Sequence, residues 1–151
     1  MEIERKFLVR QLPENLEQYP FHQIEQGYLC TKPVVRVRRQ DDEYYLTYKG
    51  GGKMVREEYN LPLTAEAYRH LIKKADGHLI QKTRYRIPLG NLTAELDLFT
   101  APGNLIMVEV EFSSTEEADA FNPLPWFAEE VTFSKEYHNS YMSRFGIHNA
   151  G

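Results

Sequence analysis

The sequence has little of what most specialised architectures require. A single cysteine, Cys30, among 151 residues leaves no material for a disulfide framework or a cysteine-rich zinc site. No apolar run approaches the roughly 18 residues that a membrane-spanning helix needs. The N-terminus opens on Glu2 and Glu4, unlike the basic start and apolar middle of a secretory signal. Basic residues are not in surplus: 18 Lys and Arg stand against 22 Asp and Glu, a formal charge of −4, whereas a dedicated nucleic-acid binder carries a basic excess. Apolar residues are not scarce, at 42% with 13% aromatic, so wholesale disorder is excluded. These features fit a soluble, cytoplasmic, single domain over residues 1–151, with no nucleic-acid or membrane partner; a homodimer is compatible with them.

What is present is mostly strand pattern. Enrichment in β-branched and aromatic residues, alternation of period two and punctuation by Gly and Pro predict strands at 2–10, 22–30, 33–39, 43–49, 54–61, 80–88, 92–99 and 105–112. Gly50-Gly51-Gly52 and Ala101-Pro102-Gly103-Asn104 read as hairpin loops. A helix is expected over 64–75, opened by Thr64, with Ala65, Tyr68, Leu71, Ile72 and Ala75 on one side and Gly77 at its C-terminal end. Ser114 with Glu117 forms a capping box for a short helix that ends near Phe121, before Pro123. Residues 137–145 place Tyr137, Tyr141, Met142 and Phe145 on another apolar side, and a turn is expected near 13–18. The expected fold is α+β and mostly β. Eight antiparallel strands suffice to close a barrel, which would abolish both sheet edges.

Alternate strand positions carry the chemical information, because residues two apart share a face. Glu2, Glu4 and Lys6 share one; Arg36 and Arg38 share another, with Val35 and Val37 opposite. Lys82, Arg84 and Arg86 line up, as do Glu95 with Asp97 and Glu109 with Glu111. A sheet with one wet face also alternates apolar and charged residues. Two details favour an enclosed site: these faces hold almost only ionisable groups, and the signs are segregated strand by strand, although like charges on one face repel. If the faces converge, seven acids (Glu2, Glu4, Glu58, Glu95, Asp97, Glu109, Glu111) meet seven bases (Lys6, Arg36, Arg38, Lys49, Lys82, Arg84, Lys135). Burying so many ions dry would be costly. A wet cavity with a charged ligand accounts for them: paired carboxylates suit a hard cation such as Mg²⁺ or Mn²⁺, and Arg and Lys suit phosphate oxygens.

Several segments, taken in order, resemble the CYTH superfamily of triphosphate tunnel metalloenzymes. They are Glu2-Ile3-Glu4-Arg5-Lys6 as an E-x-E-x-K signature, Gln26-Gly27-Tyr28-Leu29, Arg36 with Arg38, and Leu46-Thr47-Tyr48-Lys49. Arg56 with Glu58, Lys82-Thr83-Arg84, Glu95-Leu96-Asp97, Glu109-Val110-Glu111, and Val131-Thr132 with Lys135, Tyr137 and Asn139 complete the set. The resemblance implies a closed eight-stranded antiparallel β-barrel tunnel with a few short helices, a divalent metal (Mg²⁺ or Mn²⁺) and a small-molecule triphosphate substrate. It implies that Glu2, Glu4, Glu109 and Glu111, helped by Asp97, bind the metal, and that Lys6, Arg36, Arg38, Lys49, Lys82 and Arg84 bind the triphosphate. Lys135 matches a late lysine near one tunnel mouth, and Glu4, Glu111 and Lys135 are the expected catalytic residues. Asn60 stands where many members carry the second acid of R-x-E-x-E, and Glu136 replaces a residue that is often basic.

The expected function is metal-dependent hydrolysis of the terminal phosphate of inorganic triphosphate, or of a small organic triphosphate, by in-line attack of water. The alternatives are a class IV-type adenylate cyclase making cyclic AMP from ATP and a non-catalytic polyphosphate- or nucleotide-binding module. Other chemistry-bearing residues have simpler readings. His22, His70, His78, His138 and His148 lack zinc-like spacing, Cys30 has no basic neighbour, and Trp126 between Pro125 and Phe127 is packing. The Gly50–Gly52 run lacks the Lys-Ser/Thr pair and helix of a phosphate loop. Arg5 and Glu57 alternate away from the charged face, and Arg86 lies near a strand end beside Pro88.

Overall fold

The computed structural model describes residues 3–50 and 57–147. Glu2, Gly51, Gly52, Arg56, His148 and the first part of the expected strand 54–61 lie outside the described residues. Among the described residues, nine strands form one antiparallel sheet: β1 (Ile3–Val9), β2 (Phe21–Thr31), β3 (Val34–Gln40), β4 (Glu43–Lys49), β5 (Glu58–Pro62), β6 (Asp76–Leu89), β7 (Leu92–Ala101), β8 (Leu105–Phe112) and β9 (Phe127–Glu130). They lie in the order β5-β4-β3-β2-β6-β7-β8-β1-β9. They are accompanied by the helices α1 (Ala65–Ile72), α2 (Thr115–Ala120) and α3 (Asn139–Phe145), with 3₁₀ turns at Leu16–Gln18 and Lys135–Tyr137. Among the described residues no helix is long and apolar enough to cross a membrane.

The expected closed eight-stranded barrel does not form. Among the described residues, β5 and β9 each pair on one side only, so the sheet keeps two edges. The cause is β9, whose four residues take the free edge of β1 through Phe7↔Glu130 and Val9↔Phe127. In a closed barrel that edge would be offered to β5. The sheet nevertheless curls into a trough: Glu58 and Asn60 of β5 and Glu4 and Lys6 of β1 line the same cavity.

Alternation builds a core on each face. On the convex face, Phe7, Ile87, Ala94, Leu96, Val108, Val110 and Phe112 pack with Ala118 of α2 and Phe127 of β9; each large side chain so buried contributes roughly 1.5–3 kcal/mol. Arg5 lies on this side as expected, donating to Glu130 and to the carbonyls of Ala118 and Phe121. The second cluster joins Tyr28, Ile80, Phe99 and Met107 to Val131 and Met142 from the C-terminal segment. It shares the concave face with the ions, since Tyr28 pairs in register with Arg36, Phe99 with Lys82 and Met107 with Asp97. The C-terminal segment therefore fills one end of the trough with apolar side chains and leaves the charged remainder open.

Side-chain caps open α1 and α2, although the Glu117 carboxylate returns to the Ser113 N–H and hydroxyl rather than to Ser114 as a capping box would require. Thr64 Oγ1 accepts from the Ala67 N–H at 3.0 Å and Ser114 Oγ from the Glu117 N–H at 3.1 Å, satisfying N–H groups left over at the first turn. The C-terminal end of the first helix differs from expectation. α1 stops at Ile72, and Gly77 belongs to β6 with φ of +70°. A Cβ there would overlap the carbonyl oxygen of Ser143 in α3, so the glycine lets the C-terminal helix approach the sheet. Gly77→Ala should destabilise the protein by about 2 kcal/mol, read as a lower urea midpoint with an unchanged slope.

Candidate functional site

The open part of the trough is a cavity of about 750 Å³. β1 supplies Glu4 and Lys6, β3 Arg36 and Arg38, β4 Lys49, β5 Glu58 and Asn60, β6 Arg84, β7 Glu95, and β8 Glu109 and Glu111. Each charged residue alternates with one that faces the other way: Arg36 and Arg38 flank fully buried Val37, and Glu109 and Glu111 flank fully buried Val110. The strand thus aims two heads at one space while their neighbour packs.

One wall is acidic. Register places Glu4 opposite Glu111, and Glu109 opposite both Lys6 and Glu95. Lys6 Nζ lies 3.2 Å from Glu109. Burial disfavours a charged Glu109, but Lys6, Lys82 and Arg84 outweigh it and hold this carboxyl below its ordinary range. The donor set is all carboxylate oxygen, the chemistry a hard divalent cation takes. Among the described residues, no three His, Cys, Asp or Glu side chains are gathered to hold an ion, Glu109 being engaged with Lys6 and Glu2 lying outside the described residues.

Beneath the cavity, Asp97 anchors two cations. Arg84 donates to it in bidentate fashion at 2.8 and 2.9 Å, and Lys82 Nζ lies 2.8 Å away. Burial alone would raise the Asp97 pKa, but Lys82 and Arg84 overcome it and bring the group down to about 2. Lys82 is pushed down to about 8 by burial, which outweighs the attraction of Asp97. Burial also works against Arg84, yet Asp97, Glu95 and Glu109 more than compensate and its pKa rises. Arg84 Nη1 also reaches Glu95 at 3.2 Å.

The facing wall is cationic, and its partners are neutral. Arg38 Nε donates to Gln26 Oε1 at 2.8 Å, and Arg36 Nη2 to Thr47 Oγ1 at 3.4 Å. Neither forms an ion pair with any described carboxylate. Burial, with the neighbouring positive charge of Arg36, lowers the Arg38 pKa to about 10.

The structure therefore gathers Glu4, Glu109, Glu111, Lys6, Arg36, Arg38, Lys49 and Arg84 around one cavity. Lys82 and Asp97 lie under its floor, each 2% exposed. Asp97, expected beside the metal-binding carboxylates, is occupied by its two cations instead. Lys135 is exposed in a 3₁₀ turn and does not line the cavity, whereas Asn139 does. Sequence reasoning gathered Glu95 with the converging acids but gave it no task, noted Asn60 only as a departure from the family pattern, and gave no part to uncharged Gln26, Tyr45 and Thr47. Cross-strand register from the arginines would have found Gln26, Tyr45 and Thr47, but a search confined to ionisable groups passes over them.

Comparison with known proteins follows the same lines. A family model described as the CYTH domain matches residues 1–144. A Nitrosomonas europaea protein named inorganic triphosphatase is 41% identical over 149 residues, covering 94% of this chain and 96% of its own. The crystal structure of an inorganic triphosphatase superposes with a TM-score of 0.75 at 37% identity, covering 95% of this chain and 94% of that one. A protein from Pyrococcus horikoshii matches with a TM-score of 0.55 at 26% identity, over 79% of this chain and 84% of its own.

Proposed function

The chain belongs to the CYTH domain family, and on that premise we propose that it is a divalent-metal-dependent triphosphatase that hydrolyses inorganic triphosphate to pyrophosphate and orthophosphate. The observation that carries this reading is the half-buried arginine pair. Arg36 and Arg38 face the cavity with no carboxylate partner among the described residues, across from a carboxylate wall. Cations drawn partly out of water without a counter-charge are costly unless an anion completes them. Carboxylates beside a polyanion-binding site would only repel the ligand unless a cation joined them.

Phosphoryl transfer asks a protein mainly for position and charge. Arg36, Arg38 and Lys49 hold the phosphate chain from one side. Lys6 and Arg84, already paired with Glu109 and Glu95, can share their remaining N–H groups with it from the other. Glu4 and Glu111, with Glu109 and Glu2, would hold Mg²⁺ or Mn²⁺; when bound, such an ion neutralises phosphate oxygens and eases deprotonation of water. A carboxylate of this wall, Glu4 or Glu111, accepts the proton of the water that attacks the terminal phosphorus in line. Pyrophosphate leaves with its charge offset by the arginines. Lys82, with Asp97 fixing it and Arg84, adds positive charge from below.

The reading is tested by incubating the protein with tripolyphosphate, ATP or thiamine triphosphate, each with Mg²⁺ or Mn²⁺, and separating the products. Tripolyphosphate should turn over fastest, giving equal amounts of orthophosphate and pyrophosphate, and chelation should stop the reaction. Cyclic AMP from ATP, or tight binding with no turnover in any divalent metal, would overturn it.

A further inference from the structure

Five cations of the trough fall into two groups by what holds them. Lys6, Lys82 and Arg84 are held by carboxylates at 2.8–3.2 Å, so much of their charge is already offset. Arg36 and Arg38 are held by the uncharged oxygens of Thr47 and Gln26. Both neutral side chains are fully buried, at 0% exposure, so neither is an incidental surface residue.

The amide at position 26 is a poor choice if stability alone mattered. Its Oε1 accepts from Arg38, but its Nε2 is buried and has no hydrogen-bond partner among the described residues. An idle buried donor is a cost that folded proteins ordinarily avoid. A glutamate there would remove the idle N–H groups and turn the bond from a charged donor to a neutral oxygen into a full ion pair with Arg38. It would also cancel the charge of Arg38 and set a negative group beside an incoming polyanion.

Thr47 shows the same device. A hydroxyl has one proton and two lone pairs. The proton goes to Asn60 Oδ1 at 2.6 Å, so a lone pair remains for Arg36 Nη2 at 3.4 Å. Asn60 in turn donates to Glu58 at 3.4 Å. The four residues cross β3, β4 and β5 in register, Arg36 opposite Thr47 and Thr47 opposite Asn60. Two neutral groups therefore stand between Arg36 and the carboxylate of that wall.

We infer that Gln26 and Thr47 are positioning residues that orient the arginine pair through neutral acceptors, keeping its positive charge uncancelled for the phosphate oxygens of a triphosphate. This inference rests on the triphosphate reading above. It distinguishes the pair from the other cations: Arg36 and Arg38 set affinity for the polyanion's charge, and their neutral partners are part of that specificity.

The test compares Gln26→Glu, Thr47→Val and Thr47→Ser with the unaltered protein, measuring KM and kcat for tripolyphosphate together with the melting temperature. Gln26→Glu should melt at the same temperature or higher, yet raise KM on the order of tenfold or more with kcat little changed. Thr47→Val should raise KM roughly fivefold, and Thr47→Ser should restore it. Gln26→Glu with normal KM, or with a KM rise matched by a large drop in melting temperature, overturns the inference. Should Gln26→Glu fail to fold, the threonine pair decides: unchanged KM in Thr47→Val, or no rescue by Thr47→Ser, overturns it. Failure of the unaltered protein to bind or cleave tripolyphosphate would instead remove the functional reading on which it stands.

Discussion

Glu111→Gln is expected to lower metal-dependent turnover of tripolyphosphate by at least about a hundredfold, with no loss of fold. Glu111 is exposed at the cavity wall and lies in register with Glu4. The substitution keeps shape and volume but removes a negative charge and a proton acceptor. Both assigned tasks, holding the cation and taking the proton of the attacking water, depend on what is removed. Since Glu111 is exposed and forms no described ion pair, stability should move by no more than about 0.5 kcal/mol. Initial rates of orthophosphate release, paired with a thermal melt, read the two quantities separately. Glu4→Gln should lower turnover by a similar factor. Near-normal rates in either variant contradict the assignment of the acidic wall.

Asp97→Asn should have the largest effect on stability, a loss of about 3–5 kcal/mol. Asp97 is 2% exposed and holds both Arg84 and Lys82; neutralising it leaves two buried cations without their shared counter-charge. The acid side of the stability curve should change with it. In the folded protein Asp97 titrates at about 2, against 3.8 for an ordinary aspartate. Between these values the unfolded chain binds more protons, so stability rises with pH there. The contribution, roughly 2 kcal/mol, is complete above about pH 4 and lost as pH falls toward 2. Urea midpoints measured across that interval should fall steeply for the unaltered protein and far less for Asp97→Asn. Lys82 is a cost rather than a contribution, with the same slope: burial lowers it from 10.5 to about 8, so the cost is felt below pH 8 and relieved as pH climbs toward 10.5.

The trough's charged lining follows from period-two alternation alone, because a strand cannot present Arg36 and Arg38 to one side without sending Val37 to the other. The same rule put Arg5 outside, where it meets Glu130. Depth along a strand does not follow from it. Glu95 and Asp97 share a face, but Asp97 pairs in register with Met107 and Arg84, beside the apolar cluster at the filled end, while Glu95 pairs with Glu109 in the open part. Only the packing of the C-terminal segment separates the two.

Closure was misjudged for a related reason. Strand count suggests a barrel, but the edge of β1 is claimed by a four-residue strand, Phe127–Glu130. That stretch is too short for alternation to register and follows Pro123 and Pro125. The displacement of Gly77 from helix end to strand likewise depends on a tertiary neighbour, the Ser143 carbonyl, which no local pattern contains. Gln26 and Thr47 were passed over because they carry no charge, the property that their proposed task requires.

The central claim is that the concave face binds a triphosphate between an arginine pair and a carboxylate wall. A crystal structure of the Glu111→Gln protein grown with tripolyphosphate tests it most directly. The phosphate chain should lie inside the trough, with oxygens within hydrogen-bond distance of Arg36 and Arg38. A trough free of the ligand at saturating tripolyphosphate, or a chain bound on the convex face, would contradict it.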